Sequence, residues 1–492
     1  MSPTASRHSS RGKIDRVDAL LVADGRFGDS RAIGERNAAR FVLGLRLMAQ
    51  KETRHPEVLH RLSRLSREEL LPLLGDPVLR NAFEDDMAKL ENGRPDALGL
   101  AALAARLPLG TDGLGPCERM ATPHVRPWPE YGPAWLWTEM NPADRVPGEL
   151  SVRLRRLYDG SIEGGPAADP VIPSPDMCRR LSRGADLLTR LLPQVGPSVL
   201  RHVSVVGFTR GESADGPLQS LSGGDPLPSA ILMAPERLTD PWTAAETLLH
   251  EGVHLKLFDA LRSGALLRAA DLSVPIPWRQ TPWRLVRVLV ALHFYVHMLV
   301  FQEAARHADD TLRAEFGDPP ADEVVDEVSP DTEAARDGTY GTSLERARYL
   351  AGYVLALPED HLTADGRRFL HWLLDALNLV HEDSGITPPA GVAGVVPVRP
   401  PAATGQAAVV RRSARAMARP MPEQGELLVV NTDTAAMHWL NARSWLIYSL
   451  CDGRDAHAVA AEYGRRSGAA GEAAHDHVAA CMSELTAAGL LE

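Results

Sequence analysis

The chain has 492 residues, enough for two or three domains and a sizeable core. A net charge of −11 excludes a general nucleic-acid-binding surface, which needs a basic face. Aromatic residues make up 5%, so the core must lean on Leu, Val and Ala. Cys117, Cys178, Cys451 and Cys481 contain no C-x-x-C pair, so they suggest neither a cysteine zinc site nor a redox motif, and reduced thiols are expected. The Ser-rich start lacks the apolar run of a signal peptide. The most apolar stretch, 285–301, contains Arg287, His293 and His297, so no membrane span is expected, and a cytoplasmic protein is.

Residues 1–14 are expected to be disordered. Residues 15–148 read as an N-terminal helical region, in which Ile33, Ala38, Phe41, Val42, Leu45 and Met48 form one stripe over 31–50. The Pro- and Trp-rich part, 116–147, is expected to be irregular. From 149 to 385 strands are predicted at 150–157, 202–208 and 230–234, with a helix at 177–192 and a Gly/Ser/Pro/Asp-rich loop at 211–228. A long helix follows, about 240–263, with Asp240 as N-cap and Pro241 in its first turn. A Pro/Trp loop, 274–282, leads to another long helix ending near His307. The acidic stretch 309–337 is expected to be exposed, and helices resume at 344–356 and 364–380.

Residues 386–422 have the Pro, Ala, Val and Arg composition of a linker. The last part, 423–492, reads as a hairpin (427–430 and 436–440) followed by three short helices, the first capped by Asn441. That order is a winged-helix type of unit. Its common use, DNA binding, is disfavoured because the segment has no Lys, few Arg and an acidic excess. The fold class expected is α+β, mostly α-helical.

The chemistry-bearing motif is His250-Glu251-Gly252-Val253-His254, an H-E-x-x-H sequence. On a helix the two imidazoles lie one turn apart on one face, so both can reach one metal ion. A third ligand is needed. His293 on the next long helix is the first choice, with His297 and Glu303 as alternatives. Two chemistries fit. In a zinc hydrolase, Glu251 acts as general base on a Zn(II)-bound water. In an iron oxygenase, Fe(II) keeps positions open for a keto acid and dioxygen, and an arginine holds the acid's far carboxylate. Arg279 in the loop is the first choice for that role, then Arg284; helical spacing puts neither Arg284 nor Arg287 on the face of His293.

The C-terminal segment resembles PqqD-like domains, the recognition elements of ribosomal-peptide modification systems. The likeness lies in Val429-Val-Asn-Thr-Asp-Thr434, Leu440-Asn441, Ser449-Leu-Cys-Asp-Gly453 and the run from Leu485 to Leu491. It implies that the leader of a precursor peptide adds as a strand to the hairpin edge at Leu427, Leu428, Val429 and Val430 and rests on the third helix at Val478 and Met482. The middle region, over about 175–305, resembles H-E-x-x-H peptide-modification proteins, on the stretch Ala245 to Leu257, the Pro277-Trp-Arg279 loop and the run Val290 to Val296. That resemblance implies a metallopeptidase-like (zincin-like) scaffold and an Fe(II)- and 2-oxoglutarate-dependent β-hydroxylase of a precursor peptide. A zinc peptidase trimming the same peptide and a non-catalytic escort of the leader are the alternatives.

Overall fold

The computed structural model describes residues 3–52, 54–95, 98–106, 126–132, 134–137, 149–161, 169–213, 216–224, 226–268, 272–320, 332, 337–381, 386, 409–469 and 471–492. Most of the expected irregular stretch 116–147, much of the acidic stretch and the first half of the expected linker lie outside them. The architecture is α+β and mostly helical. Contacts divide the chain into two units. One comprises Met1–Gly34, Pro72–Asn81 and Gly110–Pro397; the other comprises Glu35–Leu71, Ala82–Leu109 and Val398–Glu492. The region 15–148 therefore contributes to both.

The elements in chain order begin with helices α1 (Pro3–Ala23), α2 (Ser30–Lys51), α3 (Pro56–Leu62), α4 (Arg67–Gly75), α5 (Pro77–Glu91) and α6 (Leu100–Arg106). Strand β1 (Trp135–Leu136), helix α7 (Glu149–Ser161), strand β2 (Asp169–Val171), and helices α8 (Pro175–Leu191) and α9 (Val195–Leu200) follow. Then come strands β3 (Val205–Arg210), β4 (Glu212–Ser213), β5 (Gly216–Pro217), β6 (Ser220–Ser222) and β7 (Ala230–Met233), helix α10 (Pro241–Leu261), and strands β8 (Ser273–Val274) and β9 (Trp283–Arg284). Helices α11 (Leu285–Arg306), α12 (Asp310–Phe316), α13 (Ser343–Leu355) and α14 (Ala364–Val380) complete this part. The C-terminal part holds β10 (Val409–Arg411), β11 (Ala416–Met421), β12 (Glu426–Asn431), β13 (Met437–Leu440), α15 (Ala442–Leu450), β14 (Asp452–Asp455), α16 (Ala456–Ser467) and α17 (Gly471–Ala487).

In the first unit the sheet runs β1-β3-β7-β6, with β2 also on β3. β1, β3 and β7 are parallel; β6 is antiparallel to β7 and terminal. α10 starts where the sequence places it: Asp240 accepts a hydrogen bond from Thr243 N at 2.9 Å, and Pro241 occupies the first turn, where no N–H is needed. α8 crosses α10 at Gly184, where a Cβ would stand 2.5 Å from that of Ala244, so only glycine permits this approach. α11 is long and apolar enough to cross a membrane, yet Leu285, Val288, Leu289, Leu292 and Val296 are fully buried in this unit's core.

Three expectations are corrected here. Residues 3–23 form α1 instead of a disordered start, and Ile14 is buried because the helix docks on the core. The stretch 150–157 is the helix α7, not a strand. Its Leu150, Leu154, Leu157 and Tyr158 follow helical spacing, Arg155 and Asp159 pair one turn apart at 2.9 Å, and buried Tyr158 donates to Thr209 Oγ1. The loop 211–228 contains three short strands, among them β6.

In the second unit the sheet order is β11-β12-β13. The hairpin pairs Leu427 with Leu440 and Val430 with Met437, as its alternation predicts, and Asn441 caps α15 by accepting from Arg443 N and Ser444 N. β11 comes from the segment read as linker and pairs with β12 along its whole length. Leu427 and Val429 pack into the core formed with α15, α16 and α17. Leu428 and Val430 point to the opposite face by the two-residue period of a strand and are equally buried. α2 lies across that face. Arg36 binds Glu426, Gln50 Nε2 is 3.4 Å from Met417 Sδ, and Arg46 is felt by Arg419; Met417 and Arg419 pair with Val430 and Leu428 and share their side. Burying Leu428 and Val430 is worth about 1.5–3 kcal/mol each.

Candidate metal centre

α10 carries the motif through the middle of the first unit. The rings of His250 and His254 neighbour each other one turn apart, with centroids 5.1 Å apart and planes tilted by 59°. Phe294 of α11 lies against both, at 4.1 Å from His250 and 5.6 Å from His254, and Phe258 stacks on His254. The side chain of His250 remains 30% exposed, so this pair can be approached from outside.

Glu251 is 3% exposed and its Oε1 accepts from Ser220 Oγ at 2.6 Å. Ser222 adds its hydroxyl and its backbone N–H. Burial pushes the carboxyl's pKa up, and His254 and the two serines oppose that without cancelling it. Glu251 Oε1 stands 3.9 Å from His250 Nε2. The terminal strand β6 therefore fixes the acid of the motif. Ser220 and Ser222 were not singled out by the sequence, although the alternation in Gln219-Ser-Leu-Ser222 is a strand signal.

His293 is not part of this arrangement. Its ring is fully buried against His297 at 4.3 Å and against Phe369 and Trp372, each at 5.7 Å. Successive residues on a helix diverge by about 100°, so α11 can turn either residue 293 or residue 294 toward the His250–His254 pair, and it turns Phe294. Neither ring nitrogen of His293 has a hydrogen-bond partner; His297 uses Nδ1 on the His293 carbonyl at 2.8 Å and leaves Nε2 without one. Burial drives both below the ordinary histidine pKa, His297 to about 3, so both rings are neutral. Glu303 is engaged by Arg306 at 2.7 Å and His307 at 3.3 Å. Among the described residues, no group of three or more His, Cys, Asp or Glu side chains is placed to hold a metal ion. The donor set thus fits a metal in part: two neighbouring imidazoles, with the third protein ligand not assembled beside them among the described residues.

Of the arginines, Arg279 is half-buried next to fully buried Trp278, with its N–H on the Ile276 carbonyl. Arg284 is exposed in β9, opposite Ser273, and Arg287 stacks over Trp283.

The expected leader-binding edge is also corrected. β12 is the central strand, with β11 on one side and β13 on the other, and Leu427, Leu428, Val429 and Val430 are at most 4% exposed. Val478 is buried in the same core, and Met482 packs on it half-buried. These residues are the interior of the domain, and the terminal strands are β11 and β13.

No protein-family model matches this chain, and no curated protein matches it.

Proposed function

We propose that this protein is a metal-dependent enzyme that modifies a ribosomally made precursor peptide, with Fe(II)- and 2-oxoglutarate-dependent β-hydroxylation as the reaction. The observation that carries this reading is the neighbouring pair His250 and His254, one turn apart on a largely buried helix and still partly open to solvent. They supply two imidazole ligands; bound iron, with the keto acid and dioxygen, supplies the oxygen that enters the peptide C–H bond. Glu251 already accepts hydrogen bonds from Ser220 and Ser222, which suits an orienting role better than that of a base that must take a proton from water.

The sheet supports a placement for the substrate. β6 is terminal, and its Ser220 reaches the motif, so a peptide added as a strand outside β6 runs beside the metal ligands. The leader is held by the winged-helix-like domain, now at the outer edge of β13 or β11 instead of β12. Holding the leader raises the local concentration of the core peptide, so a core peptide without leader should react poorly.

The deciding experiment incubates a leader-bearing precursor peptide with the full chain, Fe(II), 2-oxoglutarate and oxygen, and reads its mass. A gain of one oxygen that requires the keto acid supports hydroxylation. Two fragments formed with Zn(II) alone would replace it with a peptidase, and an unchanged peptide that still binds would leave an escort of the leader.

A further inference from the structure

The first unit contains a second set of reactive groups on the far side of α10. Asp259 lies nine residues beyond His250 (259 − 250), about half a turn around the helix. Its Oδ2 is 2.6 Å from His202 Nδ1, and His202 Nε2 is 3.0 Å from Ser30 Oγ. Arg80 pairs with the other oxygen of Asp259 and reaches Ser229 Oγ at 2.6 Å. Although burial opposes it, Arg80 and His202 hold the Asp259 carboxyl well below the usual carboxylate range, while burial keeps His202 neutral. The imidazole thus donates from Nδ1 to a fixed carboxylate and presents Nε2 as an acceptor.

The hydroxyl is held from the other side. Ser30 opens α2 and is half-buried, while His202 is 6% and Asp259 9% exposed. Ser30 Oγ donates to Ser198 O at 2.8 Å and lies 2.6 Å from Ser198 Oγ, so to react its proton must swing from that carbonyl onto His202 Nε2, 3.0 Å away. Ser198 Oγ in turn accepts from Lys256 Nζ at 2.8 Å. A carboxylate, an imidazole and a hydroxyl bonded in this order, with the hydroxyl nearest solvent, is the arrangement acyl transfer needs.

We propose that Ser30, His202 and Asp259 form a nucleophilic centre, independent of the metal, that hydrolyses small acyl esters. Ser30 Oγ attacks the carbonyl carbon while its proton passes to His202 Nε2. The imidazolium, stabilised by Asp259, returns that proton to the departing alkoxide as the C–O bond to the alcohol breaks. Water, activated by the same imidazole, then cleaves the Ser30 acyl ester, releasing the acid and restoring the hydroxyl.

The test treats the full chain, stripped of metal with EDTA, with a fluorophosphonate probe and maps the adduct by mass spectrometry, with p-nitrophenyl acetate as the turnover substrate. The expected result is one adduct on Ser30, absent in Ser30→Ala, with labelling slowed about a hundredfold or more in His202→Ala and unchanged in His250→Ala. Ester hydrolysis should persist in EDTA and vanish in Ser30→Ala. Absence of an adduct on Ser30 in protein whose circular dichroism is native, or labelling that survives His202→Ala undiminished, overturns the proposal.

Discussion

Ser220 donates its hydroxyl to Glu251 Oε1 across 2.6 Å, and this bond ties β6 to the acid of the H-E-x-x-H motif. In the Ser220→Ala variant Ser222 remains as a donor, so the fold should persist while the carboxylate loses part of its orientation. Peptide turnover is expected to fall about 10–100-fold, the usual cost of losing a group that orients a metal-site residue. Because the lost bond held the Glu251 pKa down, the acidic limb of the pH–rate profile should move to higher pH. A profile identical to wild type would contradict this role.

His293 offers a test that separates stability from metal binding. Both of its ring nitrogens are buried without a partner. His293→Leu removes that desolvation cost and keeps the site filled, so it should raise stability by about 1–3 kcal/mol, read from urea unfolding. Stoichiometric Co(II) or Fe(II) uptake, lost in His250→Ala and His254→Ala, should survive in His293→Leu. Loss of uptake there would restore His293 as the third ligand.

Asp76 predicts a pH dependence. It is fully buried, caps α5 by accepting from Val78 N and Leu79 N, and has an Oδ2 without a partner; burial raises its pKa to about 7. The folded chain then binds a proton more tightly than the unfolded chain, so this group's contribution is fully present below about pH 4 and is lost as pH rises toward 7. Asp76→Asn keeps the cap and removes the charge. Its gain over wild type should be largest at pH 8, about 4 kcal/mol at most, and should shrink toward zero near pH 4. Thermal melts of both proteins across that range provide the check.

In the second unit, Arg36 grips Glu426 through Nε at 2.7 Å and Nη2 at 3.3 Å, with side chains 6% and 16% exposed. Removing one partner leaves a buried charge, so Arg36→Met should cost about 3–5 kcal/mol. The double variant Arg36→Met, Glu426→Met should recover most of that loss in denaturant unfolding.

The sequence made the long helices, their caps and the hairpin legible because each rests on local signals. Asp240 with Pro241 marks the start of α10, and Asn441 caps α15. Three features were hidden because they depend on distant partners. β6 is a three-residue strand whose identity comes from β7, and its serines matter only through Glu251. β11 is a strand only because β12 offers it a partner. The choice between His293 and Phe294 turns on the rotation of α11 about its axis, which a helix apolar on most of its circumference does not encode. The stretch of α7 is ambiguous in sequence for another reason: Leu150, Val152 and Leu154 alternate as in a strand, while Leu150, Leu154 and Leu157 also fit a helix.

The covering of β12 by α2 bears on how this protein can be dissected. A fragment starting near residue 416 would carry Leu428 and Val430 on a bare face of its sheet, next to Glu426 stripped of Arg36. Such a piece is set to self-associate through that oily surface. The smallest stretch that could stand alone must bring along the part of α2 from Glu35 to Lys51, almost four hundred residues upstream.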